Sequence, residues 1–311
     1  MSFTVVGWDV GGAHLKAALV VDGVVKQVEQ TVCPLWKGVE QLELAIQRIL
    51  ENIGPPPSLH AVTMTGELVD CFKTRQEGVD AIIRTLQHGL PNPELMIYAG
   101  NRGFMSPADL VADDYSRIAS ANWLASASVA AQYYQDALFI DIGSTTTDIL
   151  VIHEHQVDAL GYTDYQRLVS GELLYTGAVR TPVMAICQQA DFNGQTMGLM
   201  AEYFATMADV YRITQDLEPQ HDQSDTADGG DKTLPASALR LSRLTGYEFL
   251  EQHWPLWQAF AEYIKAQQIE LIEKACLRQW QRIHKPESRT LIAAGVGRFL
   301  LKNMAQRLQL N

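Results

Sequence analysis

Cysteine is scarce in this chain. Four thiols occur in 311 residues, and none of Cys33, Cys71, Cys187 and Cys276 stands at Cys-x-x-Cys spacing. That scarcity argues against sulfur-rich zinc modules and disulfide scaffolds, and it fits free thiols in a reducing compartment. No uncharged apolar run is long enough to cross a bilayer. The opening residues, Met-Ser-Phe-Thr-Val-Val, lack the basic start of a secretory signal. A cytoplasmic protein without a membrane partner is therefore expected. Basic residues are also short: 24 Lys and Arg against 36 Asp and Glu leave a net charge of −12. An acidic surface of this kind disfavours non-specific nucleic-acid binding, so no nucleic-acid partner is expected. It leaves room for a small anionic ligand, because backbone amides hold phosphate without net positive charge. None of these features sets an oligomeric state.

What the chain does have is a glycine-turn signature that occurs twice. Residues 5–19 read Val-Val-Gly-Trp-Asp-Val-Gly-Gly-Ala-His-Leu-Lys-Ala-Ala-Leu, and residues 137–151 read Ala-Leu-Phe-Ile-Asp-Ile-Gly-Ser-Thr-Thr-Thr-Asp-Ile-Leu-Val. At an offset of 132 positions, Asp9 falls on Asp141, Val10 on Ile142, Gly11 on Gly143 and Leu19 on Val151. Each copy is an apolar strand, an Asp, a tight turn and a second apolar strand. The length suits two domains of about 150 residues. The repeat divides them as 1–134 and 135–311, with a helical insertion at about 196–285 in the second.

The order of elements supports an α/β fold. Strands are predicted at 3–10, 15–21 and 24–31, the last two joined through Asp22-Gly23, a hairpin signal. Helical spacing follows at 38–53, and the triple proline 55–57 ends it. A strand at 60–65, a helix at 76–88 and a strand at 95–99 complete a ribonuclease-H-like half. A single long helix is predicted over 109–134, rich in Ala and Ser. The second half restarts with the hairpin at 137–153 and a strand at 156–161. Helices are predicted at 196–212 and 247–283, and a strand at 290–294 leads through Gly295 to a helix at 299–308. Residues 215–233 hold six carboxylates and one lysine. They read either as a solvated segment or as a lid that brings Asp225 or Asp228 to a metal. Two such halves are expected to face each other across a phosphate-binding cleft.

Several residues suit phosphate chemistry. Gly11 and Gly12, with Ala13 and His14, and Gly143 with Ser144, Thr145 and Thr146, form turns whose amides and hydroxyls can meet phosphate oxygens. Arg180 is a candidate phosphate clamp. Asp9 and Asp141, at the ends of buried strands, are candidate ligands for Mg²⁺ held largely through water. Asp148, Glu67 and Lys16 are candidate catalytic groups. Asp148 could also be a metal ligand, Glu67 could orient an amine or act as base, and Lys16 could reach an anion. Asn122 and Trp123 stand out among small residues as pocket or core positions. Gly295 and Gly297 follow the last strand with bare amides.

These motifs resemble the two phosphate motifs of the acetate kinase, sugar kinase, Hsp70 and actin superfamily. Ala293–Gly297 stands where that superfamily has its adenosine loop. Further segments narrow the resemblance: Thr-Met-Thr-Gly-Glu-Leu-Val-Asp (63–70), Ala-Ser-Ala-Asn-Trp (119–123), Gly-Glu-Leu-Leu-Tyr-Thr-Gly-Ala-Val-Arg-Thr-Pro (171–182) and Thr-Ala-Asp-Gly (226–229). Over nearly its whole length the chain is similar to the small branch of the hydantoinase/oxoprolinase A family, which is linked to tetrahydromethanopterin-dependent one-carbon transfer. The resemblance implies a transferase of methanofuran or methylofuran biosynthesis. Such an enzyme would join an aminomethyl-furan methyl diphosphate to a tyramine- or tyrosine-type phenol, releasing pyrophosphate. It implies Mg²⁺, and it allows ATP without requiring it. Two other readings remain open: an ATP-dependent small-molecule kinase or amidohydrolase, and a nucleotide-binding regulator of the actin type.

Overall fold

The computed structural model describes residues 2–54, 57–90, 94–283 and 290–308. Pro55 and Pro56, the first two of the predicted helix-breaking triplet, lie outside the described residues. The chain divides into two compact units, one of Met1–Val129 with Tyr162–Gln166 and one of Ala130–Gly161 with Arg167–Asn311. The division departs from a simple cut near residue 134, because a short later segment returns to the first unit.

In the first unit, β1 (Thr4–Val10), β2 (His14–Val21) and β3 (Val24–Val32) form an antiparallel meander. Asp22 and Gly23 both take positive φ in the turn between β2 and β3, as a tight hairpin requires. Helix α1 (Glu40–Asn52) leads to β4 (Leu59–Met64), which lies parallel to β1. Helix α2 (Arg75–Gly89) leads to β5 (Glu94–Tyr98), parallel to β4, with β6 (Phe104–Met105) at the edge. The order β3-β2-β1-β4-β5-β6 is that of a ribonuclease-H-like sheet. Period-2 alternation buries Val6, Trp8 and Val10 of β1 and Leu15, Ala17 and Leu19 of β2. They share one core with Leu42, Ile46 and Ile49 of α1 and Val79, Ile82 and Leu86 of α2. The predicted helix over 109–134 is instead broken into α3 (Tyr115–Ile118) and α4 (Asn122–Tyr133). The break lies at Ala119, which leaves helical backbone with ψ 126°, and at Ser120, which takes φ +54°.

In the second unit, β7 (Ala137–Ile142), β8 (Thr147–His153) and β9 (Gln156–Asp158) repeat the meander. Helix α5 (Asp164–Ser170) is shared between the units, and β10 (Leu173–Leu174) pairs with the start of β8. The predicted helix at 196–212 is two elements. Residues β11 (Gln189–Phe192) and β12 (Gln195–Gly198) form a hairpin through Asn193-Gly194, both at positive φ, and α6 (Met207–Ile213) follows. Asn-Gly is a strong hairpin signal, and here it overrides the helical spacing downstream. Helices α7 (Leu234–Thr245) and α8 (Trp254–Trp280) complete the insertion. Then β13 (Leu291–Ala294) joins β7 in parallel, and α9 (Phe299–Leu308) closes the chain. In this sheet β9 and β10 both flank β8, followed by β7 and β13. Its core gathers Ile140, Ile142 and Ile149 with Tyr211 of α6, Leu241 of α7 and Trp257 and Phe260 of α8.

Among the described residues no helix is long and apolar enough to cross a membrane. All four cysteines are free, and burial pushes the Cys33 and Cys187 thiols up to about 11 and Cys276 to about 12. These three are inert at neutral pH.

Candidate functional site

The two glycine turns fold alike. Gly11 N donates to His14 O at 3.0 Å, and Gly143 N donates to Thr146 O at 2.9 Å. In each unit the loop after the strand parallel to the first crosses back onto that turn. Thr65 N donates to Val10 O at 2.9 Å, and Gly297 N donates to Ile142 O at 2.8 Å. Close approach requires glycine there. A Cβ on Gly66 would meet Val10 O and Gly11 O at 3.2 Å. Gly295, at φ +81°, lies so near Ile142 O and the Asp141 carboxylate that no Cβ fits.

In the first unit Asp9 faces Lys16 across the hairpin. Lys16 Nζ contacts Asp9 Oδ2 at 3.0 Å, and Asn122 Nδ2 contacts Asp9 Oδ1 at 3.4 Å. Lys16 is exposed while Leu15 and Ala17 are buried, so it shares the Asp9 face and does not enter the core. His14 is half-buried in the same turn. Trp123 is buried, with its ring 6.2 Å from that of Tyr162.

Glu67 lies just beyond β4 and is 1% exposed. Burial pushes its carboxyl up to about 7, against the pull of its hydrogen bonds and of Arg75. Ser120 Oγ lies 2.9 Å from Glu67 Oε1 and 3.3 Å from Asp164 Oδ2, and Arg75 Nη2 pairs with Asp164 Oδ2 at 2.8 Å. Glu67 Oε2 has no hydrogen-bond partner among the described residues. Ser120, Asp164 and Arg75 were missed in the sequence: Ser120 reaches Glu67 through a helix break and Asp164 through a return of the chain, while Arg75 starts α2 and is drawn in by its pair with Asp164. The Ala-Ser-Ala-Asn run was the one available signal.

In the second unit Asp148 takes the position of Lys16, opposite Asp141 in the hairpin register. Arg167, almost fully buried, donates to Asp148 Oδ1 at 2.7 Å. The loop Gly177–Arg180 lies on the second glycine turn: Ala178 N donates to Gly143 O at 2.9 Å and Arg180 N to Ser144 O at 2.8 Å. The exposed Arg180 guanidinium reaches Thr145 Oγ1 at 3.5 Å, so the residue expected as a clamp lies beside the second glycine turn. Gln268 anchors this loop from below. It is fully buried, donates to Thr176 Oγ1 at 2.7 Å and Gly177 O at 2.9 Å, and accepts from the Tyr211 hydroxyl. A glutamine on the buried stripe Ile264-Gln268-Ile272 of α8 was the overlooked sign.

The acidic segment 215–233 is held at Asp216, Asp222 and Asp228 by basic side chains, while most of its residues are exposed, as a solvated run is. Asp222 pairs with Arg212 at 2.6 Å, and Asp216 pairs with Lys265 at 2.6 Å. Asp228 is held by Arg240 at 3.0 Å and Arg243 at 3.1 Å, while Asp225 is exposed. Arg240 also reaches buried Asp209 at 2.8 Å. The arginines thus occupy the Asp228 oxygens offered to a cation.

Among the described residues no three His, Cys, Asp or Glu side chains gather as in an all-protein metal site. Mg²⁺ needs no such group, since one carboxylate, waters and substrate phosphates commonly hold it. Asp9 and Asp141, each beside a glycine turn, fit that manner of binding.

Comparison with known proteins bears on the same segments. The hydantoinase/oxoprolinase family matches residues 58–311. The chain belongs to the hydantoinase/oxoprolinase family. A relative in Methanocaldococcus jannaschii, (4-{4-[2-(gamma-L-glutamylamino)ethyl]phenoxymethyl}furan-2-yl)methanamine synthase, is 32% identical over 245 residues, covering 78% of this chain and 72% of the relative. The synthase of the same name in Methanococcus vannielii is 32% identical over 110 residues, 35% of this chain and 49% of that one. A nucleotide-free acetone carboxylase structure aligns at 10% identity and a TM-score of 0.47, covering 88% of this family member and 62% of that chain.

Proposed function

We propose that this protein is a transferase of methanofuran or methylofuran biosynthesis. It joins an aminomethyl-furan methyl diphosphate to the phenol of a tyramine- or tyrosine-type acceptor and releases pyrophosphate. The observation that carries this reading is the 32% identity, over most of both chains, to a synthase whose named product contains the phenoxymethyl-furan ether. The two glycine turns of like build support it, because a diphosphate is the group such turns suit.

The chemistry follows from the substrate. A furfuryl carbon bearing diphosphate ionises readily, since the furan oxygen spreads positive charge, and the barrier lies mainly in the departing pyrophosphate. Backbone amides of the Gly143–Thr146 turn, with the Arg180 guanidinium beside Thr145, would stabilise that charge, and the Gly11–His14 turn of the first unit offers amides of the same kind. In its own unit each of Asp9 and Asp141 is a carboxylate that would hold Mg²⁺, which when bound would neutralise charge on the diphosphate. The phenol, with a free pKa of about 10, loses its proton as it attacks. Asp148 is engaged by buried Arg167, whereas Glu67 has its carboxyl raised to about 7, so Glu67 is the better matched base.

A second reading, an ATP-dependent kinase or amidohydrolase, is favoured by the strand–glycine–helix passage at Gly295–Gly297. One experiment separates them. The protein is incubated with Mg²⁺, the furan diphosphate and tyrosine, tyramine or their glutamylated forms, beside a parallel ATP incubation, and products are read by mass spectrometry. An ether with equimolar pyrophosphate and no need of ATP is expected. Absence of ether, with acceptor-stimulated phosphate release from ATP, would replace the transferase reading with the second.

A further inference from the structure

We propose that Glu67, Ser120 and Asp164 form a proton relay, with Ser120 as the positioning residue that passes the acceptor's proton from Asp164 to Glu67. The proposal deepens the transferase reading above and rests on it for the origin of the proton.

The geometry carries it. Ser120 Oγ stands between two carboxylates, 2.9 Å from Glu67 Oε1 and 3.3 Å from Asp164 Oδ2. A serine hydroxyl has one proton to give. It can serve one carboxylate, and the other must then either carry a proton of its own or face the serine oxygen with like polarity. The arrangement is satisfied at both ends only when a proton is shared along it. The two ends differ. Arg75 of α2 pairs with Asp164 at 2.8 Å, and the Asp164 side chain is 22% exposed. Glu67 is sealed, with Arg75 and Asp164 the charged groups that act on it and with Oε2 unpartnered among the described residues. Asp164 is therefore the entry and Glu67 the store.

The backbone supports the same conclusion. Ser120 takes φ +54°, a left-handed conformation that non-glycine residues seldom adopt. Glycine would sit there without strain but would bring no hydroxyl. The break between α3 and α4 that this conformation creates is what turns the serine toward both carboxylates.

The step balances. The phenol O–H bond breaks, and its electron pair forms the new bond to the furfuryl carbon as the C–O bond to pyrophosphate breaks. The proton enters at Asp164 Oδ2, Asp164 passes a proton to Ser120 Oγ, and Ser120 gives its own to Glu67 Oε1. After product leaves, the same path returns the proton to solvent.

Ser120→Gly is the decisive variant, because it removes the hydroxyl and relieves the backbone, so the fold is kept. In wild type kcat should rise with pH through about 7, as Glu67 ionises. Ser120→Gly should lower kcat by about 10- to 100-fold and abolish that step, with KM little changed. Unchanged kcat with an unchanged pH profile would overturn the relay. Carbon-13 NMR of the Asp and Glu side-chain carboxyls, on the resting protein without substrate, reads the relay independently. The Asp164 signal should register a step at the Glu67 titration in wild type and lose it in Ser120→Gly. An Asp164 signal silent through that titration in wild type would also overturn the relay. Absence of ether product with the NMR coupling present would count against the transferase reading alone.

Discussion

The two units begin with the same hairpin and then treat it differently. In the first, β1 buries alternate residues and its Asp9 is met across the hairpin by exposed Lys16. In the second, β7 is buried at every position but Asp141, and the residue across from that acid is another acid, Asp148. A strand covered on both faces reads as a continuous apolar run, and one open on a face alternates. The compensation moves accordingly. A lysine half in solvent suffices for Asp9, whereas Asp148 needs a guanidinium brought from α5 and buried beside it. Duplication preserves the turn, and the surroundings decide how each charge is held.

The largest expected effect asks whether the two halves share one task. Asp9→Asn and Asp141→Asn should each lower turnover about 10²- to 10³-fold with the fold intact by circular dichroism. Near-full activity in either variant would restrict the metal to the other half. A smaller effect tests the charge compensation. Arg167→Met leaves Asp148 without its buried partner and should cost about 3 kcal/mol in denaturant unfolding. Lys16→Met breaks an exposed pair and should cost no more than about 1 kcal/mol. Equal losses would mean that burial does not distinguish the two hairpins.

The smallest effect at neutral pH concerns a pair confined to the first unit. His60, fully buried on β4, accepts from Trp8 Nε1 at 2.9 Å, and burial lowers its pKa from 6.5 to about 4. The neutral ring is the native form, and protonation would set an N–H against the Trp8 N–H. The folded value lies below the unfolded one, so this stability is complete above pH 6.5 and is lost as pH falls toward 4. Between pH 7 and pH 4.5 the loss should be about 2 kcal/mol and should vanish in a His60→Leu variant, read by unfolding at those two pH values.

The hairpins, their glycines and the strand–helix order were legible because each rests on neighbours in sequence. The breaks were not. Ser120 interrupts a run of Ala and Ser that has every local reason to continue as helix, and only the tertiary contacts with Glu67 and Asp164 account for its backbone. The Asn193-Gly194 hairpin carried a local signal that the reading of 196–212 as helix passed over. Glu67 could be singled out by its place after a strand, but its burial and its partners could not. Arg167 stands on a short helix with no local pattern of its own, and Gln268, though on an apolar stripe, has partners that lie far away in sequence. Their roles come from what the fold lays against them: a carboxylate at β8 and a glycine loop over Ser144.

The return of residues 162–166 to the first unit has a consequence for biosynthesis. A chain made from its N-terminus onward cannot complete the first unit when residue 129 leaves the ribosome. Asp164 emerges only after β7, β8 and β9 of the other sheet, so Arg75 and Ser120 wait for their partner while the second hairpin is already available to fold. A fragment ended at residue 134 would carry Glu67 and lack the carboxylate that completes its surroundings. Nor can the two halves be exchanged between homologues at one splice point, since the seam runs through the chain three times.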